Sequence, residues 1–137
     1  MIVVDANILV YAVVESTHSP LARRVAHKDP RWILPPLWRY EVTSSLLKLV
    51  RSRALTQEQA LAALADAARL VAGREIPVDQ ARALRAAVAM DLSAYDAQYI
   101  ALAQAYGIPC VTADASLARK TPGIAVLLSD VDQLRTP

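Results

Sequence analysis

Two aspartates in this sequence each follow directly on a short apolar run that is typical of a buried strand. Asp5 ends the opening run MIVVD, and Asp114 follows the run PCVTA. In open parallel sheets, ligands bind outside the carboxyl ends of the strands. If the two strands are neighbours, or nearly so, their carboxylates meet at one edge of the sheet. Helix capping is the structural alternative for each residue, because Asp at a strand-to-helix turn accepts backbone N–H bonds.

Two further acidic residues lie in segments with helical periodicity. Glu41 lies beside an apolar stripe that runs from Trp38 to Leu49, and no basic residue stands three or four positions away from it. Burial of an unpaired carboxylate is costly, so we expect a compensating group, such as a cation from elsewhere in the fold. Asp96 follows Ser93 by three positions, which is also the spacing of a capping box. A structural role for Asp96 therefore stays open.

Four ionised carboxylates at one end of a sheet would repel one another, and a hard divalent cation would remove that repulsion. Ligation by oxygen, without His or Cys, favours Mg²⁺ or Mn²⁺ over zinc. The two histidines, His18 and His27, lie in the segment HSPLARRVAHK away from these acids, and we expect them to be exposed to solvent. The sequence predicts a cation site formed by Asp5, Glu41, Asp96 and Asp114.

The elements that must position these residues alternate along the chain. The apolar runs are IVV, RWILP, EIPV, IPCVTA and GIAVLL, and longer stretches of helical period separate them. Strands that alternate with helices pair in parallel through right-handed crossovers, with helices on both faces of the sheet. We therefore predict an α/β fold. Thr56 and Gln59 have the spacing of a capping box, and Gly107 is placed to end the helix before IPCVTA.

Length and composition are those of one compact domain. The chain has 137 residues, of which 55% are hydrophobic and 5% aromatic, so we treat residues 1–137 as a single domain. Cys110 is the only cysteine, which excludes an internal disulfide. The sequence shows no secretory leader, and its apolar runs fall short of a bilayer span. We expect a cytoplasmic protein that does not enter a membrane.

These stretches resemble the PIN-domain family, and in particular the VapC-type toxin ribonucleases of prokaryotic toxin–antitoxin pairs. The likeness rests on VVDANILVY, WRYEVTSSLLK, LSAYDAQYIALA and GIPCVTADASLARK, which follow one another over the whole length. The resemblance implies a PIN-like three-layer sandwich, with a parallel sheet of about five strands and helices on both faces. It also implies metal-dependent cleavage of RNA.

The resemblance further implies a role for each residue at a matching position. It places the acidic quartet at Asp5, Glu41, Asp96 and Asp114, and the polar residues beside it at Asn7, Ser93 and Thr112. We expect Asp5 and Asp96 to bind the metal directly, and Asp114 to bind a second metal or to bind through water. Glu41 would orient the attacking water. One or two Mg²⁺ ions, or Mn²⁺, would activate that water for in-line attack on a phosphodiester. The three polar residues would hydrogen-bond the carboxylates.

Partners are also implied by the resemblance. We expect a small cognate antitoxin and a homodimer. An apolar cleft between the helices SPLARRVAHK and PPLWRYEVTSSLLKLVRSR would receive the antitoxin, with Trp38 either at this surface or in the core. One position departs from the pattern, because Asp91 stands where relatives often carry a small residue such as Gly. Asp91 is either a solvent-exposed residue at a helix end or an extra acid at the rim of the site.

Two other functions stay open on the sequence. A phosphatase of the haloacid-dehalogenase type also places an Asp after its first strand, but it typically needs a second Asp two residues later, where Asn7 stands. A non-catalytic scaffold with the same fold would be expected to have lost one or more of the acids, and all four are present. No P-loop, zinc-finger pattern or aromatic RNA-binding signature names a particular RNA target.

Overall fold

The sheet is parallel and brings the two aspartate-bearing strands side by side. The computed structural model describes residues 1–134, and in this part the sheet has four strands in the order β2-β1-β3-β4. These strands are β1 Ile2–Val4, β2 Trp32–Ile33, β3 Cys110–Thr112 and β4 Ala125–Leu127. Because β1 pairs directly with β3, the predicted meeting of their carboxyl ends is confirmed.

Helices connect the strands and flank the sheet, so the predicted α/β fold is also confirmed. Seven α-helices lie within the described residues: α1 Ala6–Val13, α2 Ser19–Lys28, α3 Trp38–Arg51, α4 Gln57–Leu70, α5 Gln80–Met90, α6 Asp96–Tyr106 and α7 Ala115–Lys120. A 3₁₀ helix spans Leu128–Gln133. Thr56 and Gln59 form the predicted capping box, and Gly107 ends α6 in the left-handed conformation with φ of 62°.

The fifth apolar run, EIPV, does not form a full strand. Glu75 makes one isolated parallel bridge to Leu34, in which the Ile76 N–H donates to the Leu34 carbonyl at 2.9 Å. The next residue is Pro77, which has no N–H to continue a ladder. The described sheet therefore has four strands where about five were expected, with a single bridge in place of the fifth.

The core is mainly aliphatic and includes the whole of β1. Ile2, Val3 and Val4 have no exposed surface, and Cys110 on the neighbouring strand is a buried free thiol. Trp38 on α3 is 1% exposed, so it belongs to the core and not to a partner surface. Among the helices of residues 1–134, none combines the length with the apolar character that crossing a bilayer requires.

Candidate active site

Asp5 joins β1 to α1 and is held on both of its carboxylate oxygens. It is 8% exposed. Oδ1 accepts the Ile8 N–H at 3.1 Å and caps α1, while Oδ2 accepts the Thr112 hydroxyl at 2.5 Å and the Ala113 N–H at 3.1 Å. Burial raises the pKa of Asp5, and these neutral donors only partly offset the effect. Asp5 is thus a helix cap and also a buried acid without a cationic partner among these contacts.

Asp114 occupies the equivalent turn after β3. Its Oδ1 caps α7 by accepting the N–H groups of Ser116 at 2.8 Å and Leu117 at 3.2 Å. The Asp114 N–H donates to the Thr112 hydroxyl oxygen at 3.0 Å. Thr112 therefore connects the two strand ends, because its hydroxyl donates to Asp5 and accepts from the backbone of Asp114. This agrees with a supporting role for Thr112.

Asp96 begins α6, and the preceding turn anchors it. Its N–H donates to the Ser93 hydroxyl oxygen at 3.0 Å, which is half of the capping box that the spacing suggested. Burial raises the pKa of the Asp96 carboxyl, and the negative charge of Asp114 raises it further. Lys120 and Ser93 lower it in part. The carboxylates of Asp96 and Asp114 are therefore near enough to interact across the gap between α6 and β3.

Glu41 is half-buried on α3, and a phenol compensates it where we expected a cation. The Tyr99 hydroxyl donates to Glu41 Oε1 at 2.7 Å. Glu41 takes part in none of the ion pairs found between residues 1 and 134. Burial raises the pKa of Glu41, the Tyr99 hydrogen bond opposes this, and the charges of Asp5 and Asp96 raise it further. The negative charge of Glu41 is thus coupled to Asp5 at the end of β1 and to Asp96 at the start of α6.

All four predicted acids line one open cavity of about 260 Å³ at the carboxyl edge of the sheet. Asn7 and Thr112 line it as well, whereas Ser93 stands behind Asp96 and is not part of the lining. The cavity also includes four polar residues that were not predicted from the sequence, namely Ser44, Ser45, Lys48 and Tyr99.

The positions of these four residues could have been predicted from the sequence, because each is one or two helical turns away from an acid that was already identified. Ser44, Ser45 and Lys48 lie three, four and seven positions after Glu41, and so share its helix face. In the same way, Tyr99 lies three positions after Asp96.

The donors of this cavity suit a hard divalent cation. The lining offers carboxylate, amide and hydroxyl oxygens and, in the described chain, neither His nor Cys. Between residues 1 and 134, no three acidic, His or Cys side chains converge closely enough to enclose an ion by themselves. Mg²⁺ commonly keeps several waters and binds proteins through one or two carboxylates, so the donor set fits this cation without a closed cage.

The remaining sequence expectations concern residues outside the cavity. Asp91 ends α5 with a left-handed φ of 54°, its side chain is 99% exposed, and it does not line the cavity. Lys120 Nζ donates to the Asp91 carbonyl at 2.9 Å. The structure thus supports the helix-end interpretation of Asp91. His18 and His27 are both exposed, as predicted.

Comparison with known proteins identifies the family. Residues 2–121 match the PIN domain family. The chain belongs to this family. Members of the PIN domain family are usually metal-dependent nucleases, so the family implies a nucleic-acid substrate. A haloacid-dehalogenase-type phosphatase belongs to a different family, and that alternative is therefore excluded.

The fold is similar to a solved structure. It superimposes on the crystal structure of PAE2754 from Pyrobaculum aerophilum with a TM-score of 0.72 and 26% sequence identity. The similarity covers 93% of this chain and 83% of that chain. No curated protein sequence matches this one.

Proposed function

We propose that this PIN-domain protein is a Mg²⁺-dependent endoribonuclease, with Mn²⁺ as an alternative cation. The observation that carries the proposal is the gathering of Asp5, Glu41, Asp96 and Asp114 in one cavity at the carboxyl edge of the sheet. Burial raises the pKa values of Asp96 and Glu41, and the charges of neighbouring acids raise them further. When bound, the cation would offset this repulsion, activate the attacking water and stabilise the charge on the departing oxygen.

The proposed roles follow from how each side chain is held. Asp5 is preorganised by backbone and hydroxyl donors, and its Oδ1, which accepts the Ile8 N–H, keeps a lone pair for a cation, whereas Oδ2 already accepts two hydrogen bonds. Asp96 lines the same cavity and would bind the cation directly with Asp5, while Asp114 would bind a second cation or bind through water. Glu41 lines the cavity from α3 and would orient the attacking water. Asn7 and Thr112 line the cavity and would hydrogen-bond the carboxylates, as would Ser93 from behind Asp96.

Lys48 supports a polyanionic substrate. It is the one basic residue in the part of the lining that the structure describes, and it is exposed. No ion pair holds it within residues 1–134. A lysine at the edge of an acidic cavity can contact a phosphate next to the one that is cleaved, and phosphate contacts position a nucleic acid without reading its sequence.

A nuclease assay with controlled metal tests this proposal. We expect the purified protein, freed of any partner, to cleave single-stranded RNA in Mg²⁺ or Mn²⁺ and to stop in EDTA. Restoring the metal should restore cleavage. Undiminished cleavage in EDTA would contradict metal dependence, and no cleavage with either metal would favour the non-catalytic scaffold.

We further propose that the protein is the toxin of a type II, VapBC toxin–antitoxin pair. What supports this is an apolar groove of about 470 Å³ that meets the acidic cavity at three shared residues, Asn7, Ser45 and Lys48. The groove lies between α1 and α3 and includes Leu55 just after α3. The sequence suggested a cleft between α2 and α3, and this was wrong. Helix α2 packs on α1, and α1 in turn packs on α3.

The groove and cavity together fit the extended tail of a small antitoxin. Apolar side chains of the tail would lie in the groove, and an Arg or Lys would enter the cavity and supply the positive charge that the cation otherwise brings. Inhibition should then weaken as the Mg²⁺ concentration rises.

Co-expression with the small open reading frame that adjoins the gene tests this second proposal. A copurifying chain and arrested growth without it are the expected results. No copurification together with unrestrained growth would refute the toxin function and leave the nuclease proposal standing. We also expect a homodimer on family grounds, which light scattering on the purified protein measures directly.

A further inference from the structure

Tyr99 connects the two helices that carry acids of the cavity. It is 2% exposed and is the one aromatic residue in the described lining. Because it lies three positions after Asp96 on α6, its side chain and that of Asp96 point toward the same side of the helix. Its hydroxyl reaches across to α3 and donates to Glu41 Oε1 at 2.7 Å.

Tyr99 is the single hydrogen-bond donor to the Glu41 carboxylate within residues 1–134. Lys48 lines the same cavity but lies beyond ion-pair distance of Glu41. Glu41 Oε2 accepts no hydrogen bond from the described residues. A glutamate side chain has three rotatable bonds and loses considerable rotamer freedom when one conformation is fixed. The Tyr99 bond thus engages one oxygen and leaves the other for whatever enters the cavity.

The protonation state of the phenol fixes the direction of this hydrogen bond. Burial, reinforced by the charge of Glu41, raises the pKa of Tyr99 far above its usual range, so the hydroxyl stays protonated. A protonated phenol next to a carboxylate can only donate to it. The hydrogen bond therefore favours the charged form of Glu41 and opposes the effects of burial and of the neighbouring acids.

We propose that Tyr99 is a positioning residue for the RNA cleavage reaction. Its hydroxyl fixes the Glu41 carboxylate so that Oε2 meets the attacking water in one orientation. Tyr99 acts through Glu41 and touches neither the water nor the phosphate. This inference rests on the proposed nuclease function and extends the site to a residue outside the acidic quartet.

A double-mutant cycle tests the inference. Tyr99→Phe keeps the ring and removes the hydroxyl, and we expect it to lower kcat for RNA cleavage about tenfold with KM unchanged, because only the orientation of a catalytic group is lost. In a Glu41→Gln background, Tyr99→Phe should cause no further loss, since the group that it positions is already changed. Tyr106→Phe is the matched control on α6, because Tyr106 is 49% exposed and lies outside the cavity. It should leave kcat unchanged.

A spectroscopic readout keeps the test independent of activity and of variant stability. In the metal-free wild-type protein, the buried Tyr99 hydroxyl proton should give a slowly exchanging NMR signal that Glu41→Gln shifts. A signal that Glu41→Gln leaves in place would overturn the inference. If the wild type is active, two kinetic results would also overturn the inference. One is normal cleavage by Tyr99→Phe, and the other is a double variant whose loss of activity is the product of the two single losses. A wild type that cleaves no RNA would instead overturn the proposed function, while the NMR result would still decide the Tyr99–Glu41 contact.

Discussion

Two aspartates at opposite ends of β1 are both buried, yet their surroundings differ in charge. Asp5 at the carboxyl end is 8% exposed and receives hydrogen bonds from neutral donors. Asp29 lies near the amino end and is 1% exposed. It accepts hydrogen bonds from the Arg31 side chain at 2.9 and 3.1 Å and pairs with the amino group of Met1.

The pKa values follow this difference in partners. Burial raises the pKa of Asp5, and its neutral donors leave it raised. Burial would also raise the pKa of Asp29, but the hydrogen bonds from Arg31 and from the Met1 amino group outweigh it and hold the pKa well below its usual range. Asp29 is thus neutralised by the protein itself. Asp5 has no cationic group among its hydrogen-bond donors, and we propose that its charge is left for a cation from outside.

Substitutions in the cavity at the carboxyl end of β1 and at its amino end are expected to differ most in the rate of RNA cleavage. Asp96→Asn should lower the rate of RNA cleavage by about 100-fold or more, because loss of a carboxylate ligand exceeds the effect of losing an outer hydrogen bond. Its free energy of unfolding should stay the same or rise without metal, because like-charge repulsion is relieved. A cleavage assay and a melting curve on the same sample decide the matter. If the variant melts far below the wild type and is inactive for that reason, capping by Ser93 and Asp96 is the true role.

At the amino end of β1, we expect a substitution to lower stability and to leave cleavage unchanged. Asp29→Asn should lower the free energy of unfolding by about 1 to 2 kcal/mol, because a buried carboxylate loses its charge-assisted hydrogen bonds while Arg31 stays largely solvated. Its cleavage rate per folded molecule should match the wild type. Urea denaturation gives the first quantity. If Asp29→Asn lowered cleavage as much as Asp96→Asn does, the proposed difference in function between the two ends of β1 would be wrong.

A smaller loss of stability is expected for Ser93→Ala. The Ser93 hydroxyl oxygen accepts the Asp96 N–H at the start of α6, and loss of such a cap costs about 1 kcal/mol. Cleavage should fall only modestly, since the Asp96 carboxylate is still present. Ser116→Ala is a suitable control, because the contact of Ser116 with Asp114 is made by its backbone N–H. Equal stability of Ser93→Ala and this control would contradict the capping role.

The smallest effect is expected in how stability depends on pH without metal. Asp5, Glu41 and Asp96 have pKa values above the ordinary 3.8 and 4.5, so the folded state holds protons that the unfolded state has already released. Their contribution to the free energy of unfolding therefore falls as pH rises above these ordinary values. Asp29 has a lowered pKa, so its contribution is complete above 3.8 and is lost only as pH falls below it.

Denaturation curves in EDTA, recorded from about pH 4 upward, measure this difference. Asp96→Asn should flatten the decline in stability with rising pH, whereas Asp29→Asn should lower stability by a similar amount at each pH. Parallel profiles for the wild type and Asp96→Asn would show that the cavity acids do not titrate as their surroundings imply.

Local sequence patterns were sufficient for four of the five predicted strands and for the placement of Asp5 and Asp114. An apolar run followed by Asp determines both the buried strand and the turn at its end, which is why Asp5 and Asp114 could be placed at one edge. Glu41 was recognisable as a buried carboxylate, but its partner was not. Tyr99 lies 58 positions away, and no local pattern reports such a contact.

Packing between elements accounts for the other differences. The run EIPV has the composition of a strand, yet only Glu75 pairs with the sheet, and Pro77 prevents continuation of the ladder. The apolar groove lies between α1 and α3 because α2 packs on α1, an arrangement that the order of helices along the chain does not specify.

The most direct test of the central claim is Mn²⁺ binding, measured by electron paramagnetic resonance on the wild type, Asp96→Asn and Asp29→Asn. The claim is that the carboxyl edge of the sheet leaves its negative charge for a divalent cation. We predict that the wild type and Asp29→Asn deplete free Mn²⁺ equally and that Asp96→Asn binds it at least about tenfold more weakly. Equal binding by all three proteins, or no binding by the wild type, would contradict the account.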